Sequence, residues 1–214
     1  MTSNASPLHG LYAITDPLLL PGDQLLAGVE AALRGGARFI QYRDKTASAA
    51  TKYEQARALR PLCRRYGAYL IINDDVALAL AVDADGVHLG QHDGRLAAAR
   101  AALPGKLLGV TCHASLELAA AAATCADYLA FGRFFASATK PSAPPCELAT
   151  LTAARARFAL PLLAIGGVTP DNGGQLRAAG ASLLAAIHGV FGGQDIEAAA
   201  RRYAALFADA NGAS

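Results

Sequence analysis

Three side chains that can hold an anion occur at alternate positions, Gln41, Arg43 and Lys45. In extended backbone, residues two apart point to the same side, so the amide, guanidinium and ammonium groups would be aimed together. Such a set suits phosphate, because charged hydrogen bonds from arginine and lysine are among the strongest that phosphate accepts. The alternative is a solvated strand edge on which Arg43 pairs with Asp44 or with an acidic helix residue.

Oxygen-bearing side chains follow two later apolar segments, with Asn73 and Asp74 after the first and Asp93 after the second. Two carboxylates plus phosphate oxygens are a usual way to hold Mg²⁺, which keeps several of its waters. We therefore expect Asp74 and Asp93 to bind magnesium beside a phosphate. A simpler role is also open, since either Asp74 or Asp75 could cap the helix predicted over 76–81.

A second anion site is predicted where Gly166 and Gly167 follow the apolar run 162–165 and precede a predicted helix start at 169–171. Exposed backbone N–H groups near a helix N-terminus favour phosphate. A tight turn between strand and helix accounts for these residues equally well. This second site would be neutral and built mainly from backbone, whereas the first would be cationic and would include Lys140.

The histidines and cysteines argue against two other chemistries. His88 and His92 are four residues apart, but they lie in a strand end and a loop, which does not give the geometry of a helical zinc site. Cys112 and His113 are adjacent and would face opposite sides of a strand, which does not suit a nucleophile and its base. We expect His88 to be a hydrogen-bonded residue near the substrate. No paired general acid and base is evident, so catalysis would come from binding a phosphorylated leaving group and organising charge.

Eight short apolar segments alternate with stretches of helical spacing, and this pattern predicts βαβ units around a parallel sheet. The predicted strands are 11–15, 37–42, 68–72, 86–89, 107–111, 128–131, 162–165 and 182–187. The polar residues above follow the carboxyl ends of these strands, where the active sites of (β/α)8 barrels lie. The count favours a single α/β domain, a (β/α)8 TIM barrel, over a doubly wound open sheet. No Gly-x-Gly-x-x-Gly follows the first strand, which removes the main support for a dinucleotide-binding sheet.

The composition excludes several classes of protein. The 214 residues are 53% hydrophobic and 17% charged, which excludes a disordered chain and allows one sizeable core. A net charge of +2 gives no general attraction to nucleic acid or to a membrane surface. No apolar run is long enough to span a membrane, and residues 1–10 lack a secretion signal. Together with four scattered cysteines, these features predict a cytoplasmic protein with one domain over 1–214 and short tails at 1–9 and 209–214.

Six segments in order make the chain resemble the thiamin-phosphate synthase family over nearly its whole length. Each segment alone is a weak signal, but their order at successive strand ends is highly specific. They read LYAITD at 11–16, QYRDK at 41–45, INDD at 72–75, ADGVHLGQ at 84–91 with Asp93 beyond it, SATK at 137–140 and AIGG at 164–167.

The resemblance implies a Mg²⁺-dependent transferase that joins a pyrimidine-methyl diphosphate to a thiazole phosphate, or to its carboxylate, and releases pyrophosphate. The implied reaction is dissociative, since pyrophosphate leaves before the thiazole nitrogen attacks through its lone pair, and no base is needed. By the resemblance, Asp74 and Asp93 would bind the metal, and the catalytic residues would be Arg43, Lys45 and Lys140. The pyrimidine diphosphate would be held by Gln41, Arg43, Lys45, Asn73, Thr111 and Lys140. The thiazole phosphate would be held by Ser137, Thr139, Gly167, Ile187 and His188.

The chain departs from the family pattern at a few positions. The stretch that usually reads Gly-Pro-x-x-Pro-Thr is GRFFAS at 132–137, which introduces Arg133. His188 stands where serine is common, and Thr111 replaces another common serine but keeps its hydroxyl. These changes concern details of the thiazole-phosphate site rather than the reaction.

Three alternative functions remain to be weighed against the synthase. A thiazole tautomerase of the same superfamily would be expected to have lost much of the diphosphate-binding set, which this chain retains. A non-catalytic phosphoester-binding barrel is a second alternative. A sugar-phosphate isomerase is a third, although it would need an acid–base pair. The partners implied are two small phosphorylated heterocyclic substrates, with no nucleic acid and no membrane, and a homo-oligomer is left open.

Overall fold

Eight parallel strands pair in sequence order and close into a barrel, because the last strand returns to pair with the first. The computed structural model describes residues 8–90, 93–136 and 145–208, with the side chains of 93–95 excepted. The strands are β1 Gly10–Ile14, β2 Ala37–Tyr42, β3 Tyr69–Asn73, β4 Gly86–Leu89, β5 Leu107–His113, β6 Tyr128–Phe131, β7 Leu162–Ile165 and β8 Leu183–Ala186. The predicted single α/β TIM barrel is therefore confirmed.

Helices connect successive strands and cover the outside of the barrel. Within the described ranges they are α1 Gln24–Arg34, α2 Ala49–Arg65, α3 Val76–Ala81, α4 Asp93–Ala102, α5 Leu116–Ala122, α6 Leu148–Arg157, α7 Pro170–Ala178, α8 His188–Phe191 and α9 Ile196–Ala205. Side chains of Ser48, Asp75, Ser115, Thr169 and Asp195 accept backbone N–H groups at helix starts, as the residue types favour. None of the helices in these ranges is long and apolar enough to cross a membrane.

The barrel wall separates two apolar layers. Leu11 and Ala13 point outward and pack with the helices in the larger buried cluster. Their neighbours Tyr12 and Ile14 point inward and belong to a smaller cluster inside the barrel. This division follows from the two-residue period of a strand, and it turns every second side chain towards the barrel axis.

Aromatic rings fill part of the barrel interior. Phe39 stacks between Tyr12 and Tyr69, with ring centroids 5.5 and 4.8 Å apart. Gly109 makes room for Tyr128, because a Cβ at Gly109 would collide with the Tyr128 ring. These rings form a packed floor beneath the carboxyl ends of the strands.

Two aspartates fasten the amino ends of strands on the opposite face of the barrel. Asp85 accepts the Leu70 N–H at 2.7 Å and pairs with Arg60 at 3.0 Å. Asp127 accepts the Leu108 N–H near the start of β5 at 2.7 Å and pairs with Arg100 at 2.9 Å. A carboxylate that binds both a backbone N–H and a guanidinium holds the strand and the preceding helix together.

The strand limits differ from the predicted ones by at most two residues. The largest difference on the site side is in β5, which runs on to His113 instead of ending at Thr111. At the chain ends, Leu8 is buried with the interior cluster. Residues 1–7 and 209–214 of the predicted tails lie outside the described residues.

Candidate active site

A cavity of about 400 Å³ opens at the carboxyl ends of the strands. Its lining comes from all eight strands or from the loops that follow them, as expected for a site in this fold. The polar or glycine residues in the lining are Tyr12, Gln41, Arg43, Asn73, His88, Thr111, His113, Gly132, Arg133, Gly166, Gly167, Thr169, His188 and Gly189.

The end of β2 delivers two of the predicted anion-binding side chains. Gln41 and Arg43 both line the cavity, as their alternation predicted. The Thr15 hydroxyl accepts the Arg43 N–H at 2.9 Å and so fixes the backbone at the point where β2 passes into the following loop. Arg43 directly follows the end of β2 at Tyr42, whereas Lys45 lies farther along the loop and is not part of the lining, so the expected common direction of the three side chains is wrong for Lys45.

The carboxylate of Asp44 folds the loop after β2. It accepts hydrogen bonds from the Thr46 N–H and hydroxyl and from the Ala47 N–H, at 2.8 to 2.9 Å. Partial burial raises the pKa of Asp44, but these hydrogen bonds outweigh it and the pKa is lowered overall. In the described part of the chain Arg43 forms no ion pair, so the alternative that paired Arg43 with Asp44 is not realised.

The two adjacent aspartates after β3 have different roles. Asp75 caps α3, because its carboxylate accepts the Leu78 N–H at 2.8 Å. Asp74 has a φ of 61°, an uncommon conformation for a residue with a side chain. Its half-exposed carboxylate receives a hydrogen bond from the Asn73 amide at 2.8 Å and lies 3.8 Å from the Lys45 ammonium. The capping role therefore falls to Asp75, and the Asp74 carboxylate contacts the polar groups of Asn73 and Lys45 instead.

The residues at this position fit a magnesium ion. The exposed Asp74 carboxylate supplies hard oxygen at the end of a strand, and Asn73 stands beside it. Among the described residues no group of three or more His, Cys, Asp or Glu side chains forms a cage. Magnesium does not need one, since one or two carboxylates together with substrate phosphates and water commonly complete its shell.

A continuous hydrogen-bonded chain crosses the cavity floor. The Gln41 amide Nε2 donates to the Tyr12 hydroxyl at 2.9 Å, and the Tyr12 and Tyr128 hydroxyls are 2.9 Å apart. The Tyr128 hydroxyl lies 3.1 Å from His88 Nδ1, and His88 Nε2 lies 2.9 Å from the Thr111 hydroxyl. His88 is thus a hydrogen-bonded residue inside the barrel, as the sequence predicted. Burial raises the pKa of both tyrosines, which keeps their hydroxyls protonated.

A bulge at the end of β5 brings two polar residues to the cavity. The register with β6 shifts between Thr111 and His113, and His113 has a φ of 53°. Thr111 and His113 both line the cavity, while Cys112 between them is buried in the outer layer. Burial raises the pKa of Cys112 to about 12. The sequence-based rejection of a Cys112–His113 catalytic pair is in line with this arrangement.

The loop after β7, which carries the second predicted anion site, is in direct contact with the loop after β6 and lines the cavity. The N–H groups of Phe134 and Phe135 donate to the carbonyls of Ile165 and Gly166 at 3.1 and 3.0 Å. Gly166 and Gly167 have φ angles of 101° and 61°, and a Cβ on Gly167 would collide with the loop after β6. A residue with a side chain would therefore be strained at either glycine.

The start of α7 is fixed beside Gly167. Thr169 and Asn172 form a reciprocal capping box, with the Thr169 N–H donating to Asn172 at 2.8 Å. The Asn172 amide also donates to the Gly167 carbonyl at 2.9 Å. The Gly167 carbonyl is thereby satisfied within the protein, and the first residues of α7 are held in place near the cavity.

His188 and Ile187 line the cavity after β8. His188 is the first residue of the short helix α8 and is exposed. Its ring lies against Gly192, where a Cβ would stand 2.6 Å from the ring atoms. The missing side chain at Gly192 therefore gives the His188 ring its place at the cavity edge.

Most of the described site residues predicted from the sequence meet in this cavity. Those in the lining are Gln41, Arg43, Asn73, Thr111, Gly167, Ile187 and His188. Lys45 and Asp74 face each other outside the lining. Ser137, Thr139 and Lys140 lie outside the described residues, and so does the side chain of Asp93, whose backbone begins α4.

Three lining residues, Tyr12, His113 and Arg133, and Tyr128 in the floor beneath them were not assigned to the site from the residue pattern alone. Tyr12 and Tyr128 stand in strands that read as apolar throughout, and their inward position in that alternation was the available signal. His113 was considered only as a partner for Cys112. Arg133 was noted as a departure without a role, and the structure places it in the lining.

A family model, relatives by sequence and a solved structure at 35% identity indicate one family. A family model described as thiamine monophosphate synthase matches residues 11–190. The thiamine-phosphate synthase of Alcanivorax borkumensis is 58% identical over 205 residues, which cover 94% of each chain. That of Thioalkalivibrio sulfidiphilus is 51% identical over 209 residues, covering 97% of this chain and 99% of the other. The solved structure of a thiamine phosphate pyrophosphorylase from Pyrococcus furiosus superposes with a TM-score of 0.84 at 35% identity, covering 92% of this chain and 94% of that one.

Proposed function

Because the chain belongs to the thiamine monophosphate synthase family, we propose that it couples a pyrimidine-methyl diphosphate with a thiazole phosphate, using Mg²⁺. The protein is a transferase of thiamine biosynthesis that makes thiamine phosphate. In the proposed reaction the bond between the methylene carbon and the diphosphate oxygen breaks, and a bond from that carbon to the thiazole nitrogen forms. Pyrophosphate is the second product.

The charge of the cavity lining is the observation that carries this proposal. Among the described residues that line the cavity there are two arginines and three histidines, and no aspartate or glutamate. A cavity with this lining favours anionic ligands over cationic or neutral ones. Two phosphorylated substrates bound together, one of which loses a diphosphate, match that preference.

Arg43 is the described side chain best placed to hold the departing diphosphate. It lines the cavity at the end of β2, and Thr15 fixes its backbone. A guanidinium forms paired hydrogen bonds with phosphate oxygens and keeps its charge at any ordinary pH. Because negative charge accumulates on the diphosphate as the carbon–oxygen bond breaks, hydrogen bonds from Arg43 strengthen towards the transition state.

Lys45 and Asp74 would complete the diphosphate site from outside the lining. Their 3.8 Å separation places a cation and a carboxylate side by side at the ends of neighbouring strands. Mg²⁺ bound by Asp74, with Asp93 as the second expected ligand, would neutralise charge on the diphosphate. Lys140 is proposed as a further cation by the family resemblance.

The thiazole phosphate would bind beside Gly167 and His188. Backbone N–H groups after β7 and at the start of α8 lie at the cavity edge, where an oxyanion can accept hydrogen bonds from them. Ser137 and Thr139 are proposed as further donors by the family resemblance. His188 in place of serine offers an imidazole N–H as a further donor at the cavity edge.

The proposed nucleophile is neutral and needs no base. The thiazole nitrogen attacks through its own lone pair, so no proton has to be removed first. The tyrosines of the cavity floor are in keeping with this, since burial raises the pKa of both Tyr12 and Tyr128 and keeps them protonated. Rate acceleration would come from holding the two substrates together and from stabilising the charge of the leaving group.

One reaction assay tests the proposal. Purified protein incubated with both substrates and Mg²⁺ is expected to release thiamine phosphate and pyrophosphate in equal amounts, and to release neither when one substrate is omitted. Isomerisation of the thiazole without coupling would indicate a tautomerase instead. Binding of both phosphate esters with no product would indicate a non-catalytic barrel.

A further inference from the structure

The series of hydrogen bonds on the cavity floor runs from Gln41 through Tyr12, Tyr128 and His88 to Thr111, and every donor in it must point the same way along the series. Each tyrosine hydroxyl in it has one hydrogen to donate. Among the described residues, the Tyr12 hydroxyl contacts two polar groups, the Gln41 amide and the Tyr128 hydroxyl. With the Gln41 amide donating to Tyr12, the one acceptor that the described part of the chain leaves for the Tyr12 hydrogen is the Tyr128 oxygen.

The same reasoning extends to the far end of the chain. The Tyr128 oxygen accepts from Tyr12, so its own hydrogen must go to His88 Nδ1, 3.1 Å away. A neutral imidazole carries one hydrogen, which is then on Nε2 and is donated to the Thr111 oxygen at 2.9 Å. The Thr111 hydroxyl hydrogen is left to point into the cavity.

We propose that Tyr12, Tyr128 and His88 are positioning residues that lock Gln41 and Thr111 into complementary states, so that the cavity meets a carbonyl acceptor at Gln41 and a hydroxyl donor at Thr111. If donor and acceptor exchange in one of these hydrogen bonds, they must exchange in all of them, because each buried tyrosine hydroxyl has to accept one hydrogen bond and donate one. A buried chain that is fully satisfied in one direction resists partial reversal, since an unpaired group in the floor would be costly.

This pair of ends suits a ligand with an N–H donor at one side and an anionic oxygen at the other. An aminopyrimidine diphosphate has both, and in that respect the inference rests on the proposed function. The positioning residues themselves need not touch the ligand's reacting atoms. They act through the two side chains at the ends of the chain.

The tautomer of His88 reports the direction of the chain directly. The protein has five histidines, so ¹⁵N NMR of the imidazole nitrogens can be assigned by comparison with His88→Asn. In the wild-type protein without substrates, we expect Nε2 to carry the hydrogen and Nδ1 to be bare. A hydrogen on Nδ1 would overturn the proposal.

Gln41→Glu tests the coupling between the two ends. A carboxylate accepts only, so the Tyr12 hydrogen must turn towards residue 41, and the Tyr128 hydrogen must then turn towards Tyr12. We expect a hydrogen to appear on His88 Nδ1, three hydrogen bonds away from the substitution. If Nδ1 stays bare in this variant, the ends are not coupled and the proposal fails.

Tyr128→Phe removes the central hydroxyl and separates the positioning role from packing. We expect the His88 tautomers to mix and the KM for the pyrimidine diphosphate to rise about tenfold, the size of one hydrogen bond. The matched control is Tyr42→Phe, which removes a buried hydroxyl bonded to Gln55 on the outer face of β2. The control should change neither the His88 signals nor the KM, and equal effects in both variants would reduce the role of Tyr128 to packing.

The two proposals can fail separately. If the wild-type protein forms no thiamine phosphate while His88 shows the expected tautomer, the proposed function fails and the direction of the chain stands. If thiamine phosphate forms while Nδ1 carries the hydrogen, the positioning role fails and the function stands.

Discussion

At the scale of single residues, Arg43 is where binding of the leaving group can be separated from folding. We expect Arg43→Ala to lower kcat about 10²–10³-fold, the usual cost of removing one donor that stabilises transition-state charge. The unfolding temperature should stay close to that of the wild type, because Arg43 forms no ion pair within the described residues. The measurement is steady-state kinetics together with thermal unfolding.

Arg38 provides the matched control for this prediction. It is exposed near the amino end of β2, the strand that Arg43 directly follows. Arg38→Ala removes the same charge from the chain and should leave kcat unchanged. If the two variants lose activity equally, the effect comes from overall charge, and Arg43 loses its assignment to the diphosphate.

Asp74 and Asp75 give a second test, because adjacent carboxylates have different expected roles. Asp74→Asn should raise the Mg²⁺ concentration needed for half-maximal activity by at least tenfold, since it removes a charged ligand. Asp75→Ala should leave that concentration unchanged and lower the free energy of unfolding by about 1 kcal/mol, the value of a helix cap. A titration of activity with Mg²⁺ and a denaturant melt distinguish them. An unchanged magnesium requirement in Asp74→Asn would make that residue structural.

The sequence predicted which cationic and amide side chains meet in the cavity, but it did not predict the hydrogen-bonded tyrosines of the cavity floor. Strand alternation correctly placed Gln41 and Arg43 in one cavity because that argument needs only local backbone geometry. The contact between Tyr12 and Tyr128 joins residues 116 positions apart, and it exists only because the barrel closes. A tyrosine in an apolar strand reads as core, and nothing local indicates that its hydroxyl will meet another inside.

At the scale of elements, the turn between β7 and α7 decides how close two loops can come. Gly167→Ala should be harmful, since φ is 61° there and a Cβ would collide with the Ala136 carbonyl. We expect the KM for the thiazole phosphate to rise at least tenfold, with a smaller effect on the KM for the other substrate. Substrate-dependent kinetics with each substrate varied in turn measure both values.

Gly174 is the internal control for that turn. It lies in α7, has no positive φ, and nothing stands within 4 Å of a Cβ placed on it. Gly174→Ala should raise the free energy of unfolding by about 0.5–1 kcal/mol, because alanine favours a helix more than glycine does. Unchanged kinetics in Gly167→Ala would mean that the loop after β6 can move without loss of the site.

The existence and order of the elements followed from the sequence, but one functional detail at this scale did not. Eight apolar segments with helical stretches between them were enough to predict the barrel. The bulge in β5 was not predicted, since the predicted strand ended at residue 111 and the shift arises from the pairing of its continuation with β6. That shift accompanies the left-handed backbone of His113, which lines the cavity beside Thr111.

At the scale of the whole molecule, the two ends of the barrel have different roles: one end forms the candidate active site, and the other holds strands to helices. The basic lining lies at the carboxyl ends of the strands, whereas Asp85 and Asp127 hold amino ends to the preceding helices. In TIM barrels loss of a residue on the amino face generally affects stability rather than catalysis. The two ends of this protein should therefore respond independently to substitution.

Asp85→Ala tests this independence. The change leaves the Leu70 N–H without its acceptor and leaves the largely buried Arg60 with only the longer 3.8 Å contact to Asp83, which should cost about 2–4 kcal/mol of unfolding free energy. For a domain of this size the unfolding temperature should fall by about 4–16 °C. Asp83→Ala is the matched control, because its exposed carboxylate pairs with Lys106 at 2.7 Å, reaches the same Arg60 only at 3.8 Å, and should be worth less than about 1 kcal/mol. Both variants should keep the wild-type kcat at temperatures where they are folded, and a loss of kcat in folded Asp85→Ala would show that the amino face also shapes the site.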